Sequence, residues 1–564
     1  MGDAGSSRTG QRGPGALVLL SACGVLLRLL VGLSPYSGAG DAPKFGDYEA
    51  QRHWMEITTN TPPRSWYQDG PHNNASYWPL DYPPLSGYQS WIHGKMVAAF
   101  EPEAVALGSS RGYETPSSKS LLRWTVVLSD VLTFFPAALL SARLLRPAAG
   151  AARAAGAGAG AGASAELFAL AALLLQPAHV LTDHGHFQYN CISLGLALGG
   201  AVAIAAHGRR VLGSVLFCAA LSHKQMSLAY APAFFAHLLG SSLQAPGLPR
   251  QVSAVAVLGV TVIASFGVMW APYLTSLDSL MEVVSRIFPV RRGLYEDYLP
   301  NWWCATSVAI KWKDLASNTA LVRACAGLAL LACAPSMVQQ VLAPSPQGLL
   351  LAMVNSGFGF FMFGYQVHEK SILLPLMPIT ALAAWEPDAA IWGPVVAAFS
   401  MYPLLERDGL ALPYAGAIAM YLAVMGKLRD AAFSGSGTPQ RAAGWLAAAG
   451  QGAIWGGGAA ALALHAARAL LPPPERLPWL WDRAFISLAF VYVVAGMCYF
   501  NWRQWAQPAS GGIVSATPNG VAPRGAAGSA AAAAALGRRG GPVGIGSGGG
   551  ASPQAAATGK IKST

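Results

Sequence analysis

The polar segment between residues 45 and 86 holds the side chains best suited to chemistry. Asp47 and Glu49 lie in the motif GDYEAQRHW, and Asp81 precedes the paired prolines of LDYPP. Aromatic residues accompany these acids at Trp54, Trp66, Tyr67, Tyr77, Trp78 and Tyr82. Aromatic faces stack on sugar rings, while carboxylates bind hydroxyl groups or accept their protons. The segment therefore favours a sugar or lipid-linked substrate, although any single carboxylate has a solvated surface charge as its ordinary alternative.

A second cluster is the run DHGHFQYN, residues 183–190. Two histidines at i and i+2 beside an aspartate are compatible with a metal ion. No further set of His, Asp or Glu at ligand spacing completes such a site, so we predict no metal and no other cofactor. We expect this run to bind a polar substrate by hydrogen bonds, through His186, Gln188 and Asn190.

Two more clusters carry basic residues. Arg291 and Arg292, in FPVRRGLYED, can hold a phosphate by forked hydrogen bonds or grip lipid headgroups, and the sequence does not choose between these. His368, Glu369 and Lys370 lie between apolar runs. Ionisable groups there are costly, so a functional role is the first interpretation, with cytosolic charges at the membrane surface as the alternative.

Membrane helices must position these clusters. The chain has 564 residues, of which 53% are hydrophobic and only 11% charged, whereas soluble domains have about 25% charged residues. Apolar runs near the roughly 20 residues that cross a bilayer recur throughout. We predict an all-α polytopic membrane protein with about fourteen spans, near 16–34, 121–145, 165–181, 190–206, 211–222, 226–240, 252–273, 319–335, 348–366, 371–385, 388–404, 411–426, 446–471 and 484–501.

The formal charge of +11 is interpreted as membrane orientation, and no nucleic-acid partner is expected. Basic residues fall in short loops that are cytosolic if the amino terminus is cytosolic. The first long loop, 35–119, has more acids than bases and is predicted to be lumenal. It contains the glycosylation sequon Asn74-Ala75-Ser76.

The predicted organisation has three parts. Residues 1–15 form a cytosolic amino-terminal tail, 16–501 a transmembrane domain, and 502–564 a disordered, basic cytosolic tail. The final residues KIKST fit a dilysine signal for retrieval to the endoplasmic reticulum (ER).

The motifs GDYEAQRHWMEIT, YWPLDYPPLSGY, SRGYE, HGHFQYN, IFPVRRGLYED and VHEKSILLPL occur in this order. Together they resemble the eukaryotic ER α-1,3-glucosyltransferases of N-glycan assembly, over roughly residues 16–500. GDYEAQRHW and FPVRRGLYED resemble the enzyme that adds the first glucose, whereas HFQYN and HEK are shared with its sister that adds the second. The resemblance implies a GT-C bundle in the ER membrane with a lumenal active site. It also implies metal-independent, inverting transfer from dolichyl phosphate glucose to dolichyl-pyrophosphate-linked Man9GlcNAc2.

The resemblance also implies roles on the acceptor side. Asp47 resembles the catalytic base that takes the proton of the terminal mannose 3-hydroxyl. Asp81 resembles a second acid of the first loop, which orients the acceptor or the base. Glu49 is a further expected substrate contact. We place His186, Gln188 and Asn190 around the glucose or the phosphate, without choosing between these two.

On the donor side, His368 of the HEK motif resembles the residue that contacts the donor phosphate. An imidazole there would stabilise charge developing on the leaving group. We add Arg291, Arg292 and Lys370 to this phosphate cradle on charge alone.

Three alternatives stay open. The nearest is the sister glucosyltransferase that adds the second glucose. A polyprenyl-lipid transporter or flippase would share the span count, but inverted repeats are expected there and none is evident. A non-catalytic scaffold would tolerate replacement of Asp47.

Overall fold

The computed structural model describes residues 14–145, 161–288, 293–433 and 444–507. All the regular elements in these ranges are helices, with two isolated β-bridges, Gly70 to Asn73 and Tyr295 to Val367. The all-α prediction is therefore confirmed for the described part of the chain. These residues belong to one compact unit, Met1–Ala516.

The α-helices of the described ranges, numbered along the chain, begin and end as follows. They are α1 (Pro14–Gly32), α2 (Asp47–Asn60), α3 (Pro84–Ala98), α4 (Pro116–Leu144), α5 (Ala161–Leu174), α6 (Pro177–Val180), α7 (Asn190–His207), α8 (Arg210–His223), α9 (Ala231–Leu243), α10 (Leu248–Met269), α11 (Leu277–Ile287), α12 (Trp302–Thr306), α13 (Trp312–Leu315), α14 (Asn318–Leu342), α15 (Pro346–Phe363), α16 (Leu373–Ala381), α17 (Pro387–Ser400), α18 (Tyr402–Arg407), α19 (Ala411–Phe433), α20 (Gly444–Leu470) and α21 (Leu480–Trp505). A π-helical segment, Leu181–Phe187, follows α6.

Nine helical segments in the described ranges are long and apolar enough to cross a membrane. They are α1, α4, the segment Gly162–Phe187, α7, α10, α14, α15, α19 and α21. Gly162–Phe187 is the most enclosed, with 89% of its apolar window buried, whereas α10 has none buried. The core therefore surrounds Gly162–Phe187, and α10 presents its apolar side chains outward, as a lipid-facing helix does.

The predicted count of about fourteen spans is not confirmed. Four of the other predicted spans are helices of only 9 to 14 residues, namely α8, α9, α16 and α17. At 1.5 Å per residue, nine residues cover about 14 Å, which is under half of a bilayer core. Apolar runs alone do not distinguish a full span from a short buried helix, because a helix buried among other helices is equally apolar.

The first long loop is a folded layer rather than an open connection. It contains α2 and α3, and in α2 every residue from Tyr48 to Thr58 is buried. The loop ends at α4, where the Thr115 hydroxyl accepts from the Ser118 amide at 3.0 Å and the Ser118 hydroxyl accepts from the Thr115 amide at 3.0 Å. This reciprocal capping box fixes the start of the helix.

The predicted tails lie mostly outside the described residues. Helix α21 continues to Trp505, past the predicted domain end at residue 501. Within it, Gln504 is buried and donates to the Ser336 carbonyl at 3.0 Å. The packed part of the chain therefore includes the first residues that were predicted to belong to the tail.

Candidate active site

Asp47 is the first residue of α2, and a close backbone approach places it there. Gly46 precedes the helix, and a Cβ added at Gly46 would lie 2.5 Å from the Ser37 carbonyl oxygen. Only glycine allows the two chain segments to pass at this distance. The partial positive charge of a helix amino terminus favours an ionised carboxylate at the position that Asp47 occupies.

Three donors converge on one carboxylate oxygen of Asp47. Its Oδ2 lies 2.5 Å from Gln188 Nε2, 2.6 Å from Lys370 Nζ and 2.9 Å from His186 Nε2. Burial acts to raise the pKa of Asp47, but the Lys370 ammonium and the His186 contact hold this pKa well below its ordinary value. Its side chain is 22% exposed. Asp47 is therefore an ionised carboxylate that a substrate can reach.

The backbone around Phe187 brings two neighbouring side chains to Asp47. Phe187 ends the π-helical segment with φ of 91°, in the left-handed region. Such a conformation costs roughly 1–3 kcal/mol in a non-glycine residue. The Phe187 ring is buried, with its centroid 4.9 Å from that of Tyr48 and 5.7 Å from that of Tyr189. This turn lets His186 and Gln188 reach the same oxygen from positions i and i+2.

The second ring nitrogen of His186 contacts a residue that the sequence analysis did not identify. His186 Nδ1 lies 2.5 Å from Asp408 Oδ2. Asp408 follows α18, and Gly409 has φ of 73° in the turn that ends this helix. The sequence does contain a signal for Asp408, because this acid stands between apolar runs and immediately before a glycine that ends a helix.

Lys224 is a second residue that the sequence analysis missed. Its buried ammonium donates to Gln188 Oε1 at 3.0 Å and to Asn190 Oδ1 at 2.7 Å. Burial and the charge of Lys370 lower the pKa of Lys224 to about 8. Because the ammonium binds the amide oxygen of Gln188, the amide nitrogen faces Asp47. Asn190 thus supports the site through Lys224 rather than contacting Asp47.

Asp81 approaches this network from the side of Lys224. Its backbone carbonyl accepts from Gln225 Nε2 at 3.1 Å, and the charge of its carboxylate acts to raise the pKa of Lys224. The neighbouring Tyr82 ring has its centroid 4.6 Å from Lys224 Nζ. The LDYPP segment therefore reaches the Asp47 cluster through Lys224.

Glu49 is not part of the Asp47 cluster. Its side chain is fully buried, and its two oxygens accept from Arg52 at 2.6 and 2.7 Å. The Tyr77 hydroxyl donates to the same carboxylate at 2.8 Å. This arrangement ties α2 to the aromatic part of the first loop, and it leaves the predicted substrate contact of Glu49 without an accessible oxygen.

The HEK motif does reach the cluster. Lys370 contacts both Asp47 and His186, the latter at 3.0 Å. His368 has a 40% exposed side chain, and its Nδ1 lies 3.4 Å from Glu296 Oε2. Partial burial and the Lys370 charge lower the pKa of His368. Arg291 and Arg292, the other predicted phosphate ligands, lie outside the described residues.

The aspartate and histidines of the DHGHFQYN run have separate partners. Asp183 is 3.3 Å from His179, His184 is 2.9 Å from Asp130, and His186 contacts Asp47. Among the described residues, no group of three or more His, Cys, Asp or Glu side chains is placed to hold a metal ion. The run builds a hydrogen-bonded site instead.

An ionised, reachable carboxylate beside cationic groups suits transfer of a group to a hydroxyl. Residues 24–501 match the sequence profile of the ALG6, ALG8 glycosyltransferase family. The chain belongs to that family.

Relatives from three kingdoms share most of this chain. An Arabidopsis thaliana protein, called "Probable dolichyl pyrophosphate Man9GlcNAc2 alpha-1,3-glucosyltransferase", is 43% identical over 87% of this chain and 90% of its own length. The Gallus gallus "Dolichyl pyrophosphate Man9GlcNAc2 alpha-1,3-glucosyltransferase" is 40% identical over 69% of this chain and 74% of its own. The Saccharomyces cerevisiae protein of that name is 37% identical over 70% of this chain and 72% of its own.

Proposed function

We propose that this chain transfers glucose from dolichyl phosphate glucose to dolichyl-pyrophosphate-linked Man9GlcNAc2, forming the first α-1,3-linked glucose. The observation that carries the proposal is the reachable Asp47 carboxylate in a chain whose relatives, 37% to 43% identical, bear the name of this activity. The enzyme acts in the ER membrane, with Asp47 facing the lumen.

The chemistry is a single displacement at the anomeric carbon of glucose. Asp47 accepts the proton of the terminal mannose 3-hydroxyl as that oxygen attacks C1 from the face opposite the phosphate. The new C1–O bond forms while the C1–O bond to phosphate breaks, and its electron pair leaves with dolichyl phosphate. The β-linked donor therefore gives an α-linked product. One base is enough, because a phosphate leaving group does not require protonation.

His368 and Lys370 hold the donor phosphate in this proposal. His368 is the more exposed of the two, which suits direct contact with a ligand. The Lys370 ammonium lies 2.6 Å from Asp47 and keeps this base ionised. In this proposal the same ammonium also stabilises the charge of the phosphate leaving group. Arg291 and Arg292 complete the cradle as predicted from their charge. Cations placed where negative charge develops lower the barrier most effectively.

The first loop binds the acceptor. Asp81 and the aromatic residues of this loop contact the mannose branch, and Lys224 joins Asp81 to the Gln188 amide beside the base. Glu49 acts indirectly, by fixing α2 through Arg52. The transmembrane part is a GT-C bundle, in which helices shorter than a bilayer complete the count of about fourteen.

The test is glucose transfer by the purified protein from labelled dolichyl phosphate glucose, with two acceptors in parallel. We expect transfer to lipid-linked Man9GlcNAc2, and cleavage of the product by an α-1,3-specific glucosidase. Transfer only to an acceptor that already carries one glucose would assign the second-glucose activity, which the joint family match also accommodates. Movement of the lipid across vesicles without any transfer would favour a flippase.

A further inference from the structure

The His186 ring lies between two carboxylates. Its Nε2 is 2.9 Å from Asp47 Oδ2, and its Nδ1 is 2.5 Å from Asp408 Oδ2. An ionised carboxylate only accepts hydrogen bonds, so each ring nitrogen must donate in order to bond to its partner. A ring that donates from both nitrogens carries two N–H groups and a positive charge. The geometry therefore describes His186 as an imidazolium.

The fold holds Asp408 against this ring. Asp408 follows α18, and its amide donates to the Leu404 carbonyl at 3.2 Å, in the turn where Gly409 has φ of 73°. The Asp408 side chain is 8% exposed and that of His186 is 3% exposed. Water screens a contact between two enclosed groups only weakly, so the charge of Asp408 acts strongly on the ring.

The charges around His186 come from four elements. Asp47 approaches from α2, Lys370 from the HEK motif, and Asp408 from the turn after α18. Arg123 of α4 donates at 2.8 Å to the carbonyl one residue before the histidine. The Lys370 ammonium lies 3.0 Å from His186 Nε2 because both groups donate to the same oxygen of Asp47. Two cations therefore oppose a charge on the ring, and Asp408 supplies one of the two carboxylates that favour it.

We propose that Asp408 is a positioning residue that keeps His186 charged, so that Asp47 is held by its Oδ2 and receives the acceptor proton on its Oδ1. The inference rests on the proposed function, because it requires Asp47 to be the base. Oδ2 accepts from His186, Lys370 and Gln188, whereas Oδ1 forms no hydrogen bond within the described part of the chain. A carboxylate oxygen offers about two lone-pair directions, so Oδ2 has no room for a substrate hydroxyl.

The transfer step balances on these atoms. The O–H bond of the acceptor breaks as its oxygen bonds to C1, and the proton moves to Asp47 Oδ1. The electron pair of the bond from C1 to the phosphate oxygen leaves with dolichyl phosphate. His186 and Lys370 keep their protons, so the protein side of the site becomes one charge more positive as the leaving group becomes one charge more negative. After the product dissociates, Oδ1 loses its proton to water and the starting state returns.

The test is a double-mutant cycle on kcat in the transfer assay, with the wild type, Asp408→Asn, His186→Gln and the double variant. Asparagine can still bond to Nδ1 but carries no charge, and glutamine can still donate to Asp47 but cannot become a cation. We expect each single variant to lower kcat about 10- to 100-fold with KM nearly unchanged, because a charge-assisted hydrogen bond to the base becomes a neutral one. The double variant should be within about 3-fold of the slower single variant, because no ring charge remains for Asp408 to maintain.

Two further variants separate charge from structure. Asp408→Glu keeps the carboxylate and should recover most of kcat. Arg407→Gln is the matched control, because Arg407 is exposed and pairs with Asp297 rather than with His186. It changes the same turn and should leave kcat and KM at their wild-type values.

Single effects that multiply in the double variant would overturn the proposal, because Asp408 would then act independently of His186. A folded Asp408→Asn enzyme with wild-type kcat would overturn it as well. If Asp408→Asn does not fold, Asp408→Ser takes its place in the cycle, and a folded His186→Gln enzyme with wild-type kcat would overturn the proposal without it. A wild type that transfers no glucose would overturn both this inference and the proposed function, whereas an active wild type with multiplying effects would remove this inference alone.

Discussion

His184 and His186 are two residues apart, and each lies 2.9 Å from an aspartate, Asp130 for His184 and Asp47 for His186. The two pairs differ in what surrounds them. Asp130 has no exposed side-chain surface and forms an ion pair with Arg28 at 2.5 Å. Asp47 is 22% exposed and shares its oxygen with Lys370 and Gln188. Asp130, His184 and Arg28 therefore form a sealed cluster. Asp47, His186, Gln188 and Lys370 form an open cluster.

The difference in exposure separates a cluster that supports the fold from a cluster that can react with a substrate. Arg28 belongs to α1 and Asp130 to α4, and the Arg28 guanidinium also donates to the Leu174 carbonyl at 2.7 Å. The sealed cluster thus joins three membrane-spanning segments. A charge that no substrate can reach serves to hold helices together, and a charge at an opening can accept a proton. Contact between a histidine and an aspartate does not by itself identify a catalytic site.

The largest expected effect is on the open cluster. Asp47→Asn should reduce glucose transfer by at least about 10³-fold, because the amide cannot accept the acceptor proton. Its melting temperature in detergent should stay close to that of the wild type, since the amide oxygen still accepts from Lys370 and Gln188. The assay measures transfer and thermal unfolding of the same preparation. Full activity in the variant would place the base elsewhere, with Asp81 as the next candidate.

The sealed cluster should respond in the opposite way. Arg28→Met leaves Asp130 buried with His184 as its remaining polar contact, and removal of one partner of a buried ion pair costs about 3–5 kcal/mol. We expect a low yield and early thermal aggregation, with near-normal transfer per folded molecule. Adding Asp130→Asn to Arg28→Met should restore part of the stability. A stable variant with lost activity would contradict the division between the two clusters.

A smaller effect is expected when the cation of the open cluster is removed. Lys370 holds the pKa of Asp47 down, so Lys370→Met should raise that pKa. A base with a higher pKa is protonated at higher pH, and the acid limb of the transfer profile should move upward. We expect roughly a 10- to 100-fold lower kcat at pH 7, because the donor phosphate also loses a partner. An acid limb that moves downward would contradict the assigned ion pair.

The smallest effect is expected for Asn74→Gln, which tests the side of the membrane on which the first loop and the open cluster lie. Asn74 is exposed, and its Oδ1 accepts from the Ser76 hydroxyl at 2.7 Å in a turn that leaves the sequon accessible. If the first loop is lumenal, the chain should carry one endoglycosidase-sensitive glycan that Asn74→Gln removes. Stability should change by less than about 0.5 kcal/mol, as for other surface substitutions. Modification of this loop by a labelling reagent confined to the cytosolic side would contradict the lumenal orientation of the loop.

Sequence reasoning identified those members of the open cluster that stand in long motifs. Asp47 stands in GDYEAQ, and His186 and Gln188 stand in HFQYN. Their residue types indicate proton transfer and hydrogen bonding to a polar substrate. Asp408 was missed because it lies 222 residues from His186 along the chain, in a short turn without a motif. Its role depends on the folding of α18 against the π-helical segment, which no local pattern records.

The sequence distinguishes helices from loops well. It distinguishes membrane-spanning helices from short buried helices less well. Residues 373–381 are all buried in a helix too short for a bilayer, and their composition is that of a span. Glu49 shows the same limit for side chains. Its position in GDYEAQ suggested a substrate contact, but Arg52, three residues later, occupies both of its oxygens. Helical spacing brings Arg52 to Glu49, and burial removes the carboxylate from solvent.

The most direct test of the central claim is a structure of the Asp47→Asn variant with dolichyl phosphate glucose and lipid-linked Man9GlcNAc2 bound together. We predict that the terminal mannose 3-hydroxyl lies within about 3.2 Å of the side chain at position 47, with the donor phosphate on the far side of the glucose beside His368 and Lys370. A complex in which that hydroxyl lies against another side chain, with position 47 turned away from both substrates, would contradict it.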